Sequence, residues 1–284
     1  FLPLSASVAS AMGNSPCRCH CDDAEHDVDD SKLDKIGLPL TFNDKQENKN
    51  VRGGDRVCGG GEEHGETALF HQKAHEETYR GEFHQELRCG YGVMVWPDGS
   101  RYEGYWMDDK AHGHGVYLQA DGSKYEGQWE DDEQCGQGTE LWADGSKYRG
   151  GYRQSKKHGT GCFEWADGSN YEGLFVDGYI HGEGLYTWDD GRIFKGQWVK
   201  NRMEGTGRFM WSDGRTYEGH YLDDLKHGEG LFTWADGRTY TGQWVYGRQH
   251  GSGTLTSPSG DQVVAQWREG KQLRGTDVTE GKWV

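Results

Sequence analysis

Between residues 79 and 262 the apolar and polar positions recur every 23 residues without insertion, in units beginning at Tyr79, Tyr102, Tyr125, Tyr148, Tyr171, Phe194, Tyr217 and Tyr240. In every unit positions 1 and 5 are aromatic and position 3 is glycine, with polar residues such as Glu103 and Gln128 between them. Alternate residues of an extended chain share a side, so this run predicts a strand with ring, glycine and ring on one face. Positions 14, 16 and 18 repeat the arrangement, as in Gly161, Phe163 and Trp165, and predict a second strand. The Asp-Gly pair linking one unit to the next, as in Asp144-Gly145, signals a tight hairpin turn with positive φ. Inside a unit the strands are joined by a more variable stretch, for example Met107 to Gly113. The pattern predicts an all-β fold, an elongated single-layer antiparallel meander of repeated β-hairpins.

Glycine is a poor strand residue on propensity, so its recurrence beside rings needs a cause. Gly104 and its equivalents are expected to leave bare backbone on which neighbouring rings lie, as in aromatic rescue of strand glycines. Sixteen strands at about 4.8 Å spacing extend roughly 75 Å. A bare row of rings seldom stays uncovered in a monomer, which points to self-association, a protein partner or the chain's own terminal segment. The expected binding face comprises Tyr102, Trp106, Tyr125, Trp129, Trp165, Tyr171, Trp188, Trp198, Trp211, Tyr217, Trp234 and Trp244.

Tyr102-Glu-Gly-Tyr-Trp106 followed by His112-Gly-His-Gly115 and Asp121-Gly122, and Tyr217-Glu-Gly-His-Tyr221 followed by His227-Gly-Glu-Gly230 and Asp236-Gly237, resemble the membrane occupation and recognition nexus (MORN) repeat. The resemblance spans 79 to about 271, with eight units in phase. Similar arrays occur in junctophilins, radial spoke head proteins, apicomplexan cytoskeletal scaffolds and plant phosphatidylinositol phosphate kinases. What the resemblance implies is a hairpin array serving binding, assembly or membrane apposition, with no chemistry of its own.

Composition narrows this further. The 284 residues carry a formal charge of −16, 33% hydrophobic residues and 36 aromatics. No apolar run is long enough to span a bilayer as a helix, and the acidity argues against a nucleic-acid partner. Residues 1–78, with 8 basic and 15 acidic residues and few large apolar ones, are expected to be largely disordered. Residues 79–262 form the eight repeats, and 263–284 a degenerate ninth half-repeat and C-terminal cap that keeps Trp267. Seven cysteines without a paired framework favour a reducing, cytoplasmic setting.

Near the start, Met12-Gly13-Asn-Ser-Pro-Cys17-Arg-Cys19-His-Cys21 resembles an acylation signal if translation begins at Met12. Gly13 would carry myristate and Cys17, Cys19 and Cys21 palmitate, and two lipids give the stable anchoring that one does not. Ala9-Ser10-Ala11 alternatively resembles a signal-peptidase site, and an inert tail is the third reading. The three cysteines lack the spacing of a closed zinc site, so no metal is expected. Histidines at position 11 (His112, His158, His181, His227, His250) precede an obligatory glycine and are read as loop-closing. The recurrent Gly-x-Gly leads into a strand rather than a helix, unlike a phosphate loop. Acidic pairs such as Asp108-Asp109 and Asp131-Asp132 are read as solvated surface. With no nucleophile beside a base, the expectation is a non-catalytic scaffold without cofactor or small-molecule substrate. It would bind a protein partner or itself, with a membrane contact through N-terminal lipids, on the cytoplasmic face of a membrane or in the cytoskeleton or axoneme. The alternative is a phosphoinositide-binding module like the regulatory region of phosphatidylinositol phosphate kinases.

Overall fold

The computed structural model describes residues 77–273, which contain strands and no helix. The first four repeats supply β1 (Thr78–His84), β2 (Leu87–Val95), β3 (Arg101–Met107), β4 (Lys110–Leu118), β5 (Lys124–Glu130), β6 (Glu133–Leu141), β7 (Lys147–Arg153) and β8 (Lys156–Glu164). The next four supply β9 (Asn170–Val176), β10 (Tyr179–Thr187), β11 (Ile193–Val199), β12 (Arg202–Met210), β13 (Thr216–Leu222), β14 (Leu225–Thr233), β15 (Thr239–Val245) and β16 (Arg248–Thr256). β17 (Gln262–Arg268) and the two-residue β18 (Lys271–Gln272) follow. Each strand pairs antiparallel with the strands before and after it in sequence, giving the single open meander that the periodicity predicts.

The two connections differ from the expected ones. Within a repeat the chain reverses at positions 7 and 8 alone, both left-handed: Asp108 (φ 48) and Asp109 (φ 67), or Asp223 (φ 50) and Asp224 (φ 66). Positive φ at both central residues is the type I′ arrangement, whose twist matches that of the strands. Strand two therefore starts at position 9, and the stretch expected to be a loop is mostly strand. His112 pairs with Tyr105 while Gly115 pairs with Gly104, so Gly113 and His114 bulge out. Gly113 (φ 64) sits in that bulge, which explains the invariant glycine at position 12. Between repeats the Asp-Gly pair lies in a wider turn. Gly145 N–H donates to the Trp142 carbonyl (2.9 Å), Ser146 N–H to Asp144 Oδ1 (2.8 Å), and only the glycine has positive φ.

The glycines of positions 3 and 14 pair with one another across every strand, from Gly81 opposite Gly92 through Gly173 opposite Gly184 to Gly242 opposite Gly253. One row of sixteen glycines thus crosses β1 to β16 and ends at Ala265, opposite Gly253. The position 1 ring lies flat over two of them. A Cβ built on Gly184 would collide with Tyr171 Oη, Cε2 and Cζ, and one on Gly173 would meet the same ring with Cζ at 2.6 Å. The Tyr171 hydroxyl reaches past the glycines to donate to the Leu174 carbonyl (3.1 Å), and Tyr102, Tyr125, Tyr148, Tyr217 and Tyr240 make the equivalent bond. The ninth repeat supplies an internal contrast. Where Val263 replaces the ring, Ala265 replaces the glycine.

A flat ring on bare backbone leaves its upper face for other rings. Tyr171 meets Phe175 of its own repeat (5.2 Å, 90°) and Trp198 of the next (5.9 Å, 87°) edge to face, while Trp165 lies against Tyr186 (5.0 Å). Each repeat covers its neighbour, and a single sheet acquires a core. Trp267 on β17 covers Tyr240 (5.2 Å) in the same way.

Candidate interaction surface

Eight of the twelve expected binding-face residues are buried in this layer: Tyr102, Trp106, Tyr125, Tyr171, Trp188, Trp198, Tyr217 and Trp244. Trp129, Trp165, Trp211 and Trp234 are partly buried and pack against them. All twelve lie on one side of the sheet, where they are its core. The row is not bare, because flat rings and upright rings interlock. Gly13, Cys17, Cys19 and Cys21 lie outside the described residues, as does the expected disordered segment apart from its last two residues.

The opposite side is built from positions 2, 4, 13 and 15, which vary from repeat to repeat. Tyr91 (48% exposed) and Tyr105 (53%) stand there edge to face at 5.5 Å, with the Tyr91 hydroxyl on Glu103 (2.9 Å). Across repeats 3 to 6 this side holds a groove of about 640 Å³ with the glycine row in its floor, lined by Arg149, Thr160, Cys162, Glu172, Leu185 and Lys195 among others.

Sequence reasoning missed how the turns bind adjacent repeats together. The position 8 side chain accepts a hydrogen bond from the position 10 N–H of the preceding repeat: Asp109 from Arg88 (2.8 Å), Asp132 from Ala111 (2.7 Å), Asn201 from Ile180 (2.7 Å) and Asp224 from Met203 (2.7 Å). Two of the aspartates read as solvated surface, Asp109 and Asp132, are therefore clamps; the signal was an Asp, Asn or Ser recurring 21 residues after an N–H that needs a partner. Burial raises the Asp224 carboxyl above its usual range, against the pull of the Met203 N–H. The first seven wider turns come in two kinds. Ser123, Ser146 and Ser169 are buried and accept from the next turn's backbone at 3.1–3.2 Å. Arg192, Arg215 and Arg238 replace them, pairing with Asp190, Asp213 and Asp236 (2.6–2.7 Å) and lying over Trp188, Trp211 and Trp234 (5.3–5.5 Å).

An ion pair sits inside the ring layer at repeats 3 and 4. Glu140 occupies position 16, where the next three repeats carry Phe163, Tyr186 and Phe209. Its carboxylate meets Lys157 Nζ (3.3 Å) and accepts from the Tyr152 hydroxyl (2.9 Å). The Lys157 ammonium also lies 4.6 Å from the Trp142 ring centroid, and burial lowers its pKa while Glu140 pulls the other way. Burial also raises the flat tyrosines, Tyr79 and Tyr240 to about 12 and Tyr102, Tyr125, Tyr148, Tyr171 and Tyr217 further. The position 11 histidines fall on β4, β8, β10, β14 and β16 just before the bulge glycine. Among the described residues no three His, Cys, Asp or Glu side chains are grouped as metal ligands would be.

The MORN repeat profile matches eight consecutive segments, 79–101, 102–124, 125–147, 148–170, 171–191, 194–214, 217–237 and 240–262. The chain belongs to the MORN repeat family. Its match boundaries follow the 23-residue units, so each MORN repeat is one hairpin plus the turn into the next. No curated protein matches the chain. Among solved structures it is similar to the G-box domain of the microcephaly protein CPAP, for which a role in centriole elongation is suggested (13% identity, TM-score 0.40, 65% of this chain and 97% of that one). It is also similar to the TCP domain of Drosophila melanogaster SAS-4 in complex with a proline-rich motif of Ana2 (12%, 0.33, 63% and 85%) and to virginiamycin B lyase of Staphylococcus aureus (10%, 0.15, 67% and 74%). All three scores lie below 0.5, too low to carry those proteins' properties over to this MORN chain. The repeats themselves indicate a scaffold or interaction role.

Proposed function

We propose that this chain is a non-catalytic scaffold whose MORN array holds a protein partner. The carrying observation is the division of labour within the repeat. The recurrent residues, rings and glycines, are consumed in the core and turns, and the exposed positions 2, 4, 13 and 15 are those that vary. A frame that is constant inside and variable outside suits recognition of an extended partner. Acylation of Gly13 with Cys17, Cys19 and Cys21 would tether the array to the cytoplasmic face of a membrane. An array used in the cytoskeleton or axoneme would be untethered.

Head-group binding by the repeats themselves is less well supported. Residues 79–284 hold 23 basic against 32 acidic residues, whereas anionic lipids are recognised by clustered cations. Cross-linking mass spectrometry on the full chain in its native cells tests the scaffold reading. Cross-links from one other protein to the array are expected, and a chain cross-linked to nothing would refute it. Gly13→Ala is expected to move the protein from the membrane to the soluble fraction, and unchanged fractionation would remove the tether.

A further inference from the structure

Position 10 lies among rings in several repeats. In repeat 7 the occupant is Lys226, whose Nζ lies 5.4 Å from the Trp211 centroid, 6.0 Å from Tyr217, 5.2 Å from Phe232 and 5.1 Å from Trp244. Repeat 4 places Lys157 similarly, and repeats 5 and 6 fill the position with Ile180 and Met203, both about fully buried. In repeat 2 the same four positions hold Trp96, Tyr102, Tyr117 and Trp129, but position 10 is Ala111.

The ring spacings of that four-ring box stay close to those around Lys226, with Ala111, 6% exposed, as its buried floor. Trp96 to Tyr117 is 5.7 Å, against 5.6 Å for Trp211 to Phe232. Tyr117 to Trp129 is 6.4 Å, against 6.0 Å for Phe232 to Trp244, and Tyr102 to Trp129 is 5.4 Å, against 5.2 Å for Tyr217 to Trp244. Tyr117 has turned more upright, at 79° to Trp129 where Phe232 lies at 43° to Trp244. Three of the four rings are also partly open to solvent. Tyr117 and Trp129 are only partly buried, whereas Phe232 and Trp244 are 5% and 4% exposed. Gln119 stands in the same repeat where six others carry Trp, so Tyr117 lacks that neighbouring ring.

The surroundings select the charge of what enters. Residues 102–147 contain eleven acidic and three basic residues, a net −8 that accounts for nearly all of the −9 carried by 79–284. The electrostatic focus of the array thus coincides with the box whose position 10 is alanine, where repeats 4 and 7 carry lysine. We propose that the repeat 2 box is a seat for a lysine side chain supplied by a basic segment of a protein partner. The ammonium would occupy the place that Lys226 takes in repeat 7, held by cation–π attraction and the field of the acidic block. This rests on the scaffold reading and names the chemistry of the partner.

The test titrates the full chain with acetyl-tetralysine amide and follows the indole N–H signals of Trp96 and Trp129 by NMR. Those two signals are expected to shift first. Ala111→Met fills the seat as Met203 does without altering charge, and should weaken peptide binding about ten-fold, the scale of a partly desolvated cation–π contact. Ala111→Lys, which places the cation in cis, should abolish the shifts while leaving the melting curve intact. Peptide binding that survives Ala111→Met unchanged, or that shifts the indoles of all repeats alike, overturns the proposal. So do shifts produced by phosphatidylcholine vesicles and not by the peptide. A partner cross-linked away from repeats 2 and 3 would sink the seat and spare the scaffold, whereas a chain without any partner would sink both.

Discussion

Gly184→Ala isolates the contact on which the single-layer core depends. Gly184 has no left-handed φ, so alanine meets no backbone strain there. On unfolded-state entropy alone the change should stabilise by about 0.4–1 kcal/mol. The structure predicts the opposite sign. The three atoms nearest the new methyl all belong to the Tyr171 ring, with Cζ at 2.5 Å, so the ring must lift. Lifting overpacks a residue that is 0% exposed and wedged between Phe175 and Trp198, which costs about 1–3 kcal/mol. It also breaks the hydroxyl bond to the Leu174 carbonyl, about 1 kcal/mol more. Set against the entropic gain, a net loss of about 1–3.5 kcal/mol corresponds to a fall in melting temperature of roughly 3–14 °C for an array of this size. Because repeats contact only their neighbours, hydrogen exchange should quicken in β9 to β11 and stay unchanged in β3 and β4. Combining the change with Tyr171→Ala should show strong coupling, the second substitution costing less once the ring is gone. An unchanged or raised melting temperature, or additive effects, would refute the flat-ring account.

Glu140→Gln leaves Lys157 buried among rings without its carboxylate and should cost about 2–3 kcal/mol in a melting experiment. Glu140→Phe combined with Lys157→Ile, the pattern of neighbouring repeats, should return stability to within about 1 kcal/mol, and a double variant as weak as the single one would contradict that. Burial raises the Asp224 carboxyl, so its favourable contribution is full below pH 3.8 and lost as pH rises through the higher folded value. Asp224→Asn, which mimics Asn201, should therefore melt higher than wild type at pH 7 and lose that advantage near pH 4; a lower melting point at pH 7 would count against it. The flat tyrosines are raised by burial, so the stability they confer is complete below about pH 10 and falls above it. Tyrosinate absorbance should accordingly appear together with loss of β-structure in an alkaline titration, and full ionisation of a still-folded chain would exclude buried rings.

The repeat, the all-β class and the pairing of glycine with ring were legible because each is a matter of period and chirality. A period of 23 with aromatic, glycine, aromatic on alternate residues admits no helix, and the missing side chain at position 3 implied something lying on the backbone. The turns were less legible. Asp-Gly announces a hairpin, yet here the tightest reversal falls at Asp108-Asp109, whose two left-handed aspartates carry no glycine to mark them. Burial of the face was hidden for a different reason. Alternation tells which side a ring occupies, and whether that side meets water depends on how upright rings from the next repeat lie over flat ones. The clamp from Asp132 to the Ala111 N–H spans 21 residues and crosses a repeat boundary, beyond what any local pattern encodes.

A sheet with one sealed side and one open side has an asymmetry that most two-layer folds lack. The sealed side gains little from a partner, since its rings already cover one another, and a repeat that departs from the pattern there leaves a gap rather than a new surface. Two departures occur close together. Repeat 3 substitutes Glu140 and recruits Lys157 from repeat 4 to neutralise it, closing the layer from within. Repeat 2 carries Ala111, buried as a small floor, and Gln119, and Tyr117 and Trp129 beside them stay partly exposed. The first departure explains how a charge can sit in an aromatic core without opening it. The second is left for another molecule to complete. On the ring side, recognition is then specified by where a repeat fails to finish its own packing, in addition to the variable positions of the open side, and the acidic block around repeats 2 and 3 sets the charge of what finishes it.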